Sequence, residues 1–348
     1  MEKPGGILMP TVVRTLTPAD VPSAMELSKA ANWNQTPEDW LRVLQLAQET
    51  FRCVEAAGKI VATASLLPYG TRLAWIGMVL TRPENRRQGF ARELMEDLIA
   101  RAEGNKIRTL KLDATNEGRP LYESLGFIVE ETVERWGRPA AMVTVHGCVD
   151  DRGAAIDSEL KTQNSKLNKS LPDANRAPRL YAQNLGALSS SQPSLLKPST
   201  LAPEQNRLSS SLDADCLQIS DALFAVDKEA FGMSRKHLLE MLLESGRCNS
   251  TPHGYVLSRP GATARYLGPC VATSEAEANA LVATHLEDDS IAKSCDWYWD
   301  LLPANAGAVR CAEQLGFTRR RTLWRMRRGK TMENDNAMVY AIAGFELG

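Results

Sequence analysis

The chain has 348 residues, with 41 Lys+Arg against 42 Asp+Glu, and is 43% hydrophobic, 24% charged and 6% aromatic. The length suggests two domains, and the composition excludes a wholly disordered chain. The balanced charge argues against a generic nucleic-acid surface, and no stretch approaches the roughly 20 apolar residues of a bilayer span.

The first part alternates strands and helices. A short β-branched run at 11–16 leads into a helix start at Thr17-Pro18-Ala19-Asp20, and helical spacing continues over 21–31. Thr36-Pro37-Glu38-Asp39 is a second start, with Thr as N-cap and Pro at the first helical position. Trp40, Val43, Leu44 and Ala47 then share one helical face. Residues 51–57 and 60–67 read as strands split by the Gly58-Lys59 turn. Residues 73–80 form a more apolar, central strand. A long amphipathic helix over 87–103 presents Leu94, Leu98 and Ile99. A buried strand at 107–112, a short helix at 117–125 and a strand at 127–134 complete the series. Three consecutive strands followed by β-α-β predict a mixed sheet in an α/β (α+β) layer fold.

From 149 to 217 the composition shifts to Ser, Asn, Gln, Pro and Lys, with two Ser-Ser-Ser runs. Such a stretch buries too little apolar surface to offset its ordering entropy, so a disordered linker is expected. Globular composition returns at 218–348. Helices are expected at 237–245, 274–285 and 305–315, and strands at 254–257, 263–266, 297–301 and 318–326. Seven scattered cysteines without a C-x-x-C pair and four isolated histidines point to no metal site and to a reducing, cytoplasmic setting. His285 is expected at the surface.

The segment 78–91 carries the chemistry. A strand ends at Met78-Val79-Leu80, Pro83 forces a turn, and Arg86-Arg87-Gln88-Gly89-Phe90-Ala91 opens the long helix. Backbone N–H groups at a helix start, beside the positive end of its dipole, make an anion site. Gly89 lets the chain approach a pyrophosphate, and Arg86 and Arg87 add charge. The pattern is neither a P-loop nor G-x-G-x-x-G.

Arg86-x-x-Gly89-x-Ala91, after a strand and opening a helix, resembles the acetyl-CoA motif of the GNAT N-acetyltransferases. The segment 112–127, with Asp113, Asn116 and Leu121-Tyr122 and ending Leu125-Gly126-Phe127, is similar to the family's second motif. The element order over 11–140 looks like a whole GNAT domain. The resemblance implies an acyl-CoA N-acyltransferase fold and direct acetyl transfer from acetyl-CoA to an amine. It also implies cofactor contacts from Met78, Val79, Leu80, residues 86–91 and Asn116, with Tyr122 as the acid that protonates the CoA sulfur. Direct attack needs no Ser or Cys nucleophile. Backbone N–H groups around Met78–Leu80 would hold the developing oxyanion. Trp33 and Asn34, between the first two helices, would line the acceptor side. The general base is left open between water, Asp113 and Glu123.

The second part repeats some of this. Glu313-Gln314-Leu315-Gly316-Phe317 echoes 123–127, and each follows a strand ending in Asp, Asp300 or Asp113. Yet Ala312 stands where Tyr122 does, and 267–273 contains no R-x-x-G-x-A. The whole therefore resembles a tandem GNAT protein: an active domain at 11–140, a linker at 149–217 and an acetyltransferase-like domain at 218–348 without the CoA loop. The expected activity is N-acetylation of a small-molecule or amino-acid-like amine, with no nucleic-acid or membrane partner. An acyl-CoA sensor without turnover and a protein or peptide N-acetyltransferase are the alternatives.

Overall fold

Near-continuous buried runs, such as residues 60–67 and 73–78, form the inner strands of one continuous mixed sheet. A computed structural model describes residues 11–140, 210–287, 295–332 and 334–348, the side chains of 210–220 excepted. The first half runs β1 (Thr11–Thr15), α1 (Val21–Ala30), α2 (Pro37–Ala47), β2 (Phe51–Ala56), β3 (Lys59–Tyr69) and β4 (Leu73–Thr81). It continues with α3 (Phe90–Gly104), β5 (Thr109–Ala114), α4 (Arg119–Ser124) and β6 (Ile128–Arg138). The second half runs α5 (Ser210–Phe231), α6 (Lys236–Ser245), β7 (Arg247–Thr251), β8 (Gly254–Arg259), β9 (Arg265–Ala272) and α7 (Glu275–Glu287). It ends with β10 (Trp297–Leu301), α8 (Ala306–Gln314), β11 (Thr318–Gly329) and β12 (Val339–Ala341).

Helix α2 starts as its sequence demands. The Thr36 hydroxyl accepts from the Asp39 N–H (3.2 Å), and the Asp39 carboxylate accepts from the Thr36 N–H (3.0 Å), a reciprocal cap with Pro37 at the first position. Trp40 then stacks on Phe51 at 5.6 Å. On the opposite face of the sheet, Leu94 and Leu98 of α3 pack with Leu66, Ile76 and Leu112. In the second half α7 and α8 enclose Trp297 and Trp299.

The sheet order is β1-β2-β3-β4-β5-β11-β6-β10-β9-β8-β7, with β12 paired to β9. Strand β11 of the second half thus lies between β5 and β6 of the first. Reciprocally, β6 of the first half lies between β11 and β10 of the second. Each half completes the other's sheet, and Leu323 and Val133 face each other at the middle of the exchange. Two buried ion pairs mark it. Arg325 on β11 clasps Asp113 on β5 (2.9 and 3.0 Å), and Arg135 on β6 clasps Asp300 on β10 (2.7 and 2.6 Å). Each arginine sits directly opposite its aspartate across the strands. Both halves therefore belong to one compact unit.

Several elements differ from the sequence reading, among them β9, which runs Arg265–Ala272 where 263–266 was expected. Helix α5 begins at Ser210, so 210–217 are helical where a linker was expected. The Ser run conceals a stretch free of Pro and Gly from 204 to 231. The rest of the expected linker lies outside the described residues. Strand β7 is a half-buried edge strand whose polar sequence carries no alternation. Strand β12 is too short to show a period.

Candidate active site

The first half contains a splayed pair of parallel strands. β4 and β5 pair only at Ala74–Leu110 and Trp75–Lys111. Beyond that point β4 breaks step with β3 as well. The ladder runs from Ser65–Gly77 to Thr63–Leu80, leaving Met78 and Val79 opposite Ala64 alone. Met78 adopts φ of +51°, and its carbonyl accepts from the Thr63 hydroxyl at 2.8 Å. A bulge of this kind turns backbone groups out of the ladder. The sequence-predicted positions Met78, Val79 and Leu80 lie at this bulge.

Residues 82–89 connect β4 to α3. Arg87 and Gly89 both have positive φ, +61° and +92°, with Gly89 at the N-cap. The Glu93 N–H closes the first turn onto the Gly89 carbonyl (3.0 Å). None of the backbone N–H groups of residues 87–92 finds an acceptor among the described residues. They form an open nest at the positive end of a helix dipole. A Cβ on Gly89 would meet nothing within 4 Å, so the chain is open on that side of Gly89. Arg86, Arg87 and Gln88 are exposed around it, while Phe90 and Ala91 are half-buried.

The loop from β5 to α4 faces this nest. The Glu117 carboxyl is held below its usual range by its own backbone N–H and the Thr115 hydroxyl, with Arg86 adding to the effect. Arg92 of α3 donates to Ser124 of α4 at 2.8 Å. Asn116 is exposed, and its Oδ1 accepts from the Trp324 indole N–H at 2.7 Å. Tyr122 is buried, edge-on to Phe127, and its hydroxyl has no hydrogen-bond partner among the described residues. Burial pushes that hydroxyl well above the ordinary phenol range. Asp113 gives both oxygens to Arg325, and Glu123 pairs with Arg119 on the exposed side of α4 (2.7 Å). Neither of the two carboxylates left open as bases is unpaired.

The structure places Asn34 differently from an open acceptor pocket. Asn34 is 2% exposed. Its Nδ2 donates to the Ala264 carbonyl (2.7 Å), and its Oδ1 accepts from the Thr263 N–H and hydroxyl and the Ala264 N–H (2.7–3.0 Å). The amide therefore stitches the first half to the turn before β9. Trp33 is half-buried against the main core. His285, expected at the surface, is buried with its ring nitrogens on Asn249 and Ser258 (2.6 and 2.8 Å). Cys53, Cys248, Cys270 and Cys311 are free, and burial pushes the Cys53 thiol up to about 11. No group of three metal-ligating side chains occurs among the described residues, and none of their helices is long and apolar enough to cross a membrane.

One wall of the site comes from far along the chain. Residues 345–348 lie over β4 on the face opposite α3. The Trp75 indole donates to the Phe345 carbonyl (2.9 Å), and the Tyr69 hydroxyl to the Leu347 carbonyl (2.5 Å). Gly77 must be glycine here, because a Cβ would sit 2.7–3.0 Å from the Glu346 backbone and Cβ. Neither this wall nor Trp324 has a local sequence signal, since both arrive from more than 200 residues away.

The second half repeats the framework without the site. β8 and β9 break step at the corresponding place, with Gly268 and Pro269 opposite Leu257. Pro269, at the position of Val79, has no N–H to offer. The connection to α7 is only residues 273–274, and the helix starts with Glu275 and Glu277, which repel an anion. The Phe127 N–H donates to the Tyr122 carbonyl and the Phe317 N–H to the Ala312 carbonyl, so Ala312 does replace Tyr122. Finally, β12 pairs with β9 at Cys270 and Val271, and the Ile342 N–H donates to the Asp300 carbonyl of β10 (2.9 Å). The chain's own strand fills the second splay.

Comparison with known proteins agrees on the family for both halves. A model of the Acetyltransferase (GNAT) family matches residues 21–127, and an Acetyltransferase (GNAT) domain model matches 223–341. The chain belongs to the GNAT family, as two such domains in tandem. The uncharacterized N-acetyltransferase YitH of Bacillus subtilis is 30% identical over 116 residues, 33% of this chain and 40% of that protein. A UPF0039 protein of Schizosaccharomyces pombe is 35% identical over 74 residues, 21% of this chain and 49% of its own. The matches thus span less than half of either relative. The crystal structure of a putative acetyltransferase from Pyrococcus horikoshii superposes with a TM-score of 0.67 at 17% identity, covering 100% of this chain and 99% of its own. A GCN5-related N-acetyltransferase from Sphaerobacter thermophilus gives 0.52 at 14% identity, over 94% and 99%. These likenesses establish the fold of this tandem GNAT chain.

Proposed function

We propose that the first half of this GNAT protein is an acetyl-CoA-dependent N-acetyltransferase acting on a small amine. The observation that carries the proposal is the unpartnered N–H nest of residues 87–92, at the end of β4 where the β4–β5 pair splays. These groups fit an acyl-CoA. The nest, Arg86 and Arg87 would take the pyrophosphate, and the splay would admit the pantetheine arm. The Val79 N–H, at the bulge, would be the donor for the developing oxyanion.

Acetyl transfer forms an N–C bond, breaks the C–S bond and leaves a proton to be moved to sulfur. Tyr122 is the group for that proton: its raised pKa keeps it protonated through neutral pH, and no other described residue claims its hydroxyl. Its role is thus that of an acid. The wall at 345–348 narrows the approach to the bulge, which favours a small acceptor over a folded protein. The second half, with its splay filled by β12, is assigned no acyl-CoA.

The test is calorimetry of the full chain with CoA, followed by thiol release from acetyl-CoA across an amine panel. One CoA per chain and turnover with a small amine are expected. Absence of CoA binding would remove the proposal, and two equivalents per chain would overturn the assignment of the second half.

A further inference from the structure

The exchanged strand β11 carries one side chain to the cofactor side of the first half. Trp324 lies opposite Ala114 at the end of β5. Its indole N–H donates to Asn116 Oδ1 (2.7 Å), and its ring lies 4.6 Å beneath the Arg119 guanidinium. Arg119 is itself held by Glu123 (2.7 Å). An indole nitrogen can only donate, so the Asn116 atom facing it must be the oxygen. The amide nitrogen is thereby turned away from β11. β5 stands between β11 and β4, so away from β11 is toward β4 and the nest. Asn116 Nδ2 has no partner among the described residues, and the next residue, Glu117, feels the Arg86 charge.

Resting on the function proposed above, we propose that Trp324 is a positioning residue of the second half for the acyl-CoA site of the first. It fixes Asn116 with two N–H donors presented to the cleft, where they meet an acceptor oxygen of the bound acyl-CoA. The half that lacks a site of its own thus supplies part of its neighbour's.

The experiment measures CoA affinity of the full chain by calorimetry. Trp324→Phe keeps a ring beneath Arg119 and removes only the N–H. It is expected to weaken CoA about 3- to 10-fold, the worth of one hydrogen bond. KM for acetyl-CoA should rise by the same factor, with kcat at saturation unchanged. In an Asn116→Ala background, Trp324→Phe should change the affinity less than about 2-fold. Asn116→Asp, on an exposed loop, should weaken CoA without lowering the melting temperature. Wild-type affinity in Trp324→Phe, or an equal loss in both backgrounds, overturns this inference while leaving the proposed function standing. No CoA binding by the wild type overturns both.

Discussion

Gly89 offers the sharpest separation between folding and ligand binding. Its φ of +92° lies in the left-handed region, where a Cβ costs about 1 kcal/mol. No protein atom lies within 4 Å of that Cβ, so no steric term adds to this figure. Gly89→Ala should therefore lower the melting temperature by only about 2–4 °C. Gly89→Glu has the same backbone cost, partly offset by a carboxylate at the start of α3. Its carboxylate, however, would stand in the nest that the pyrophosphate needs. Loss of two charge-assisted hydrogen bonds is worth at least about 3 kcal/mol, or more than about 100-fold in affinity. Stability near wild type with CoA affinity lost is the expected signature, read by thermal melting and calorimetry on the same samples. A Gly89→Glu protein that binds CoA within about 3-fold of wild type would refute the anion site.

Tyr122→Phe should lower kcat about 10- to 1000-fold. It should leave the melting temperature nearly unchanged, because the hydroxyl has no protein partner to lose among the described residues. Since burial raises this pKa, the acid form persists as pH rises, and any loss of rate from Tyr122 deprotonation belongs above about pH 10. A fall in kcat between pH 7 and 9 that vanishes in Tyr122→Phe would contradict that environment. Asn34→Ala should cost about 3 kcal/mol, because it strands the buried Ala264 carbonyl and the Thr263 and Ala264 N–H groups. Urea unfolding reads this loss. If instead stability holds and only the acceptor KM rises, Asn34 is an acceptor ligand and not a stitch.

The backbone course of the loop at 83–91 was legible because its signals are local. Pro83, Arg86, Gly89 and Ala91 lie within a few residues, and each has a backbone reason to be there. The Tyr122-to-Phe127 turn was legible for the same reason, and so was the loss of Tyr122 at Ala312. What the sequence concealed is non-local. Strand periodicity gives a segment its faces but not its neighbours, so nothing in 318–329 or 128–138 tells that they trade places. Asn34 reads as an amide on an acceptor loop until Ala264, 230 residues away, is seen to need it.

The exchange also makes the second half indispensable to the sheet of the first. Removing the second half would take β11 from between β5 and β6 and strand the Asp113 carboxylate in the interior without Arg325. It would also remove the residues that wall β4 at Gly77. A buried carboxylate without its partner costs several kcal/mol, comparable to the whole stability of a domain. On the proposed function, the second half need not carry the loop, the donor N–H or the tyrosine, whereas the first half needs β11. Packing of the first half alone requires β11 to stay in place. It places no demand on the splay between β9 and β10, which is where the chain has folded β12 into the gap.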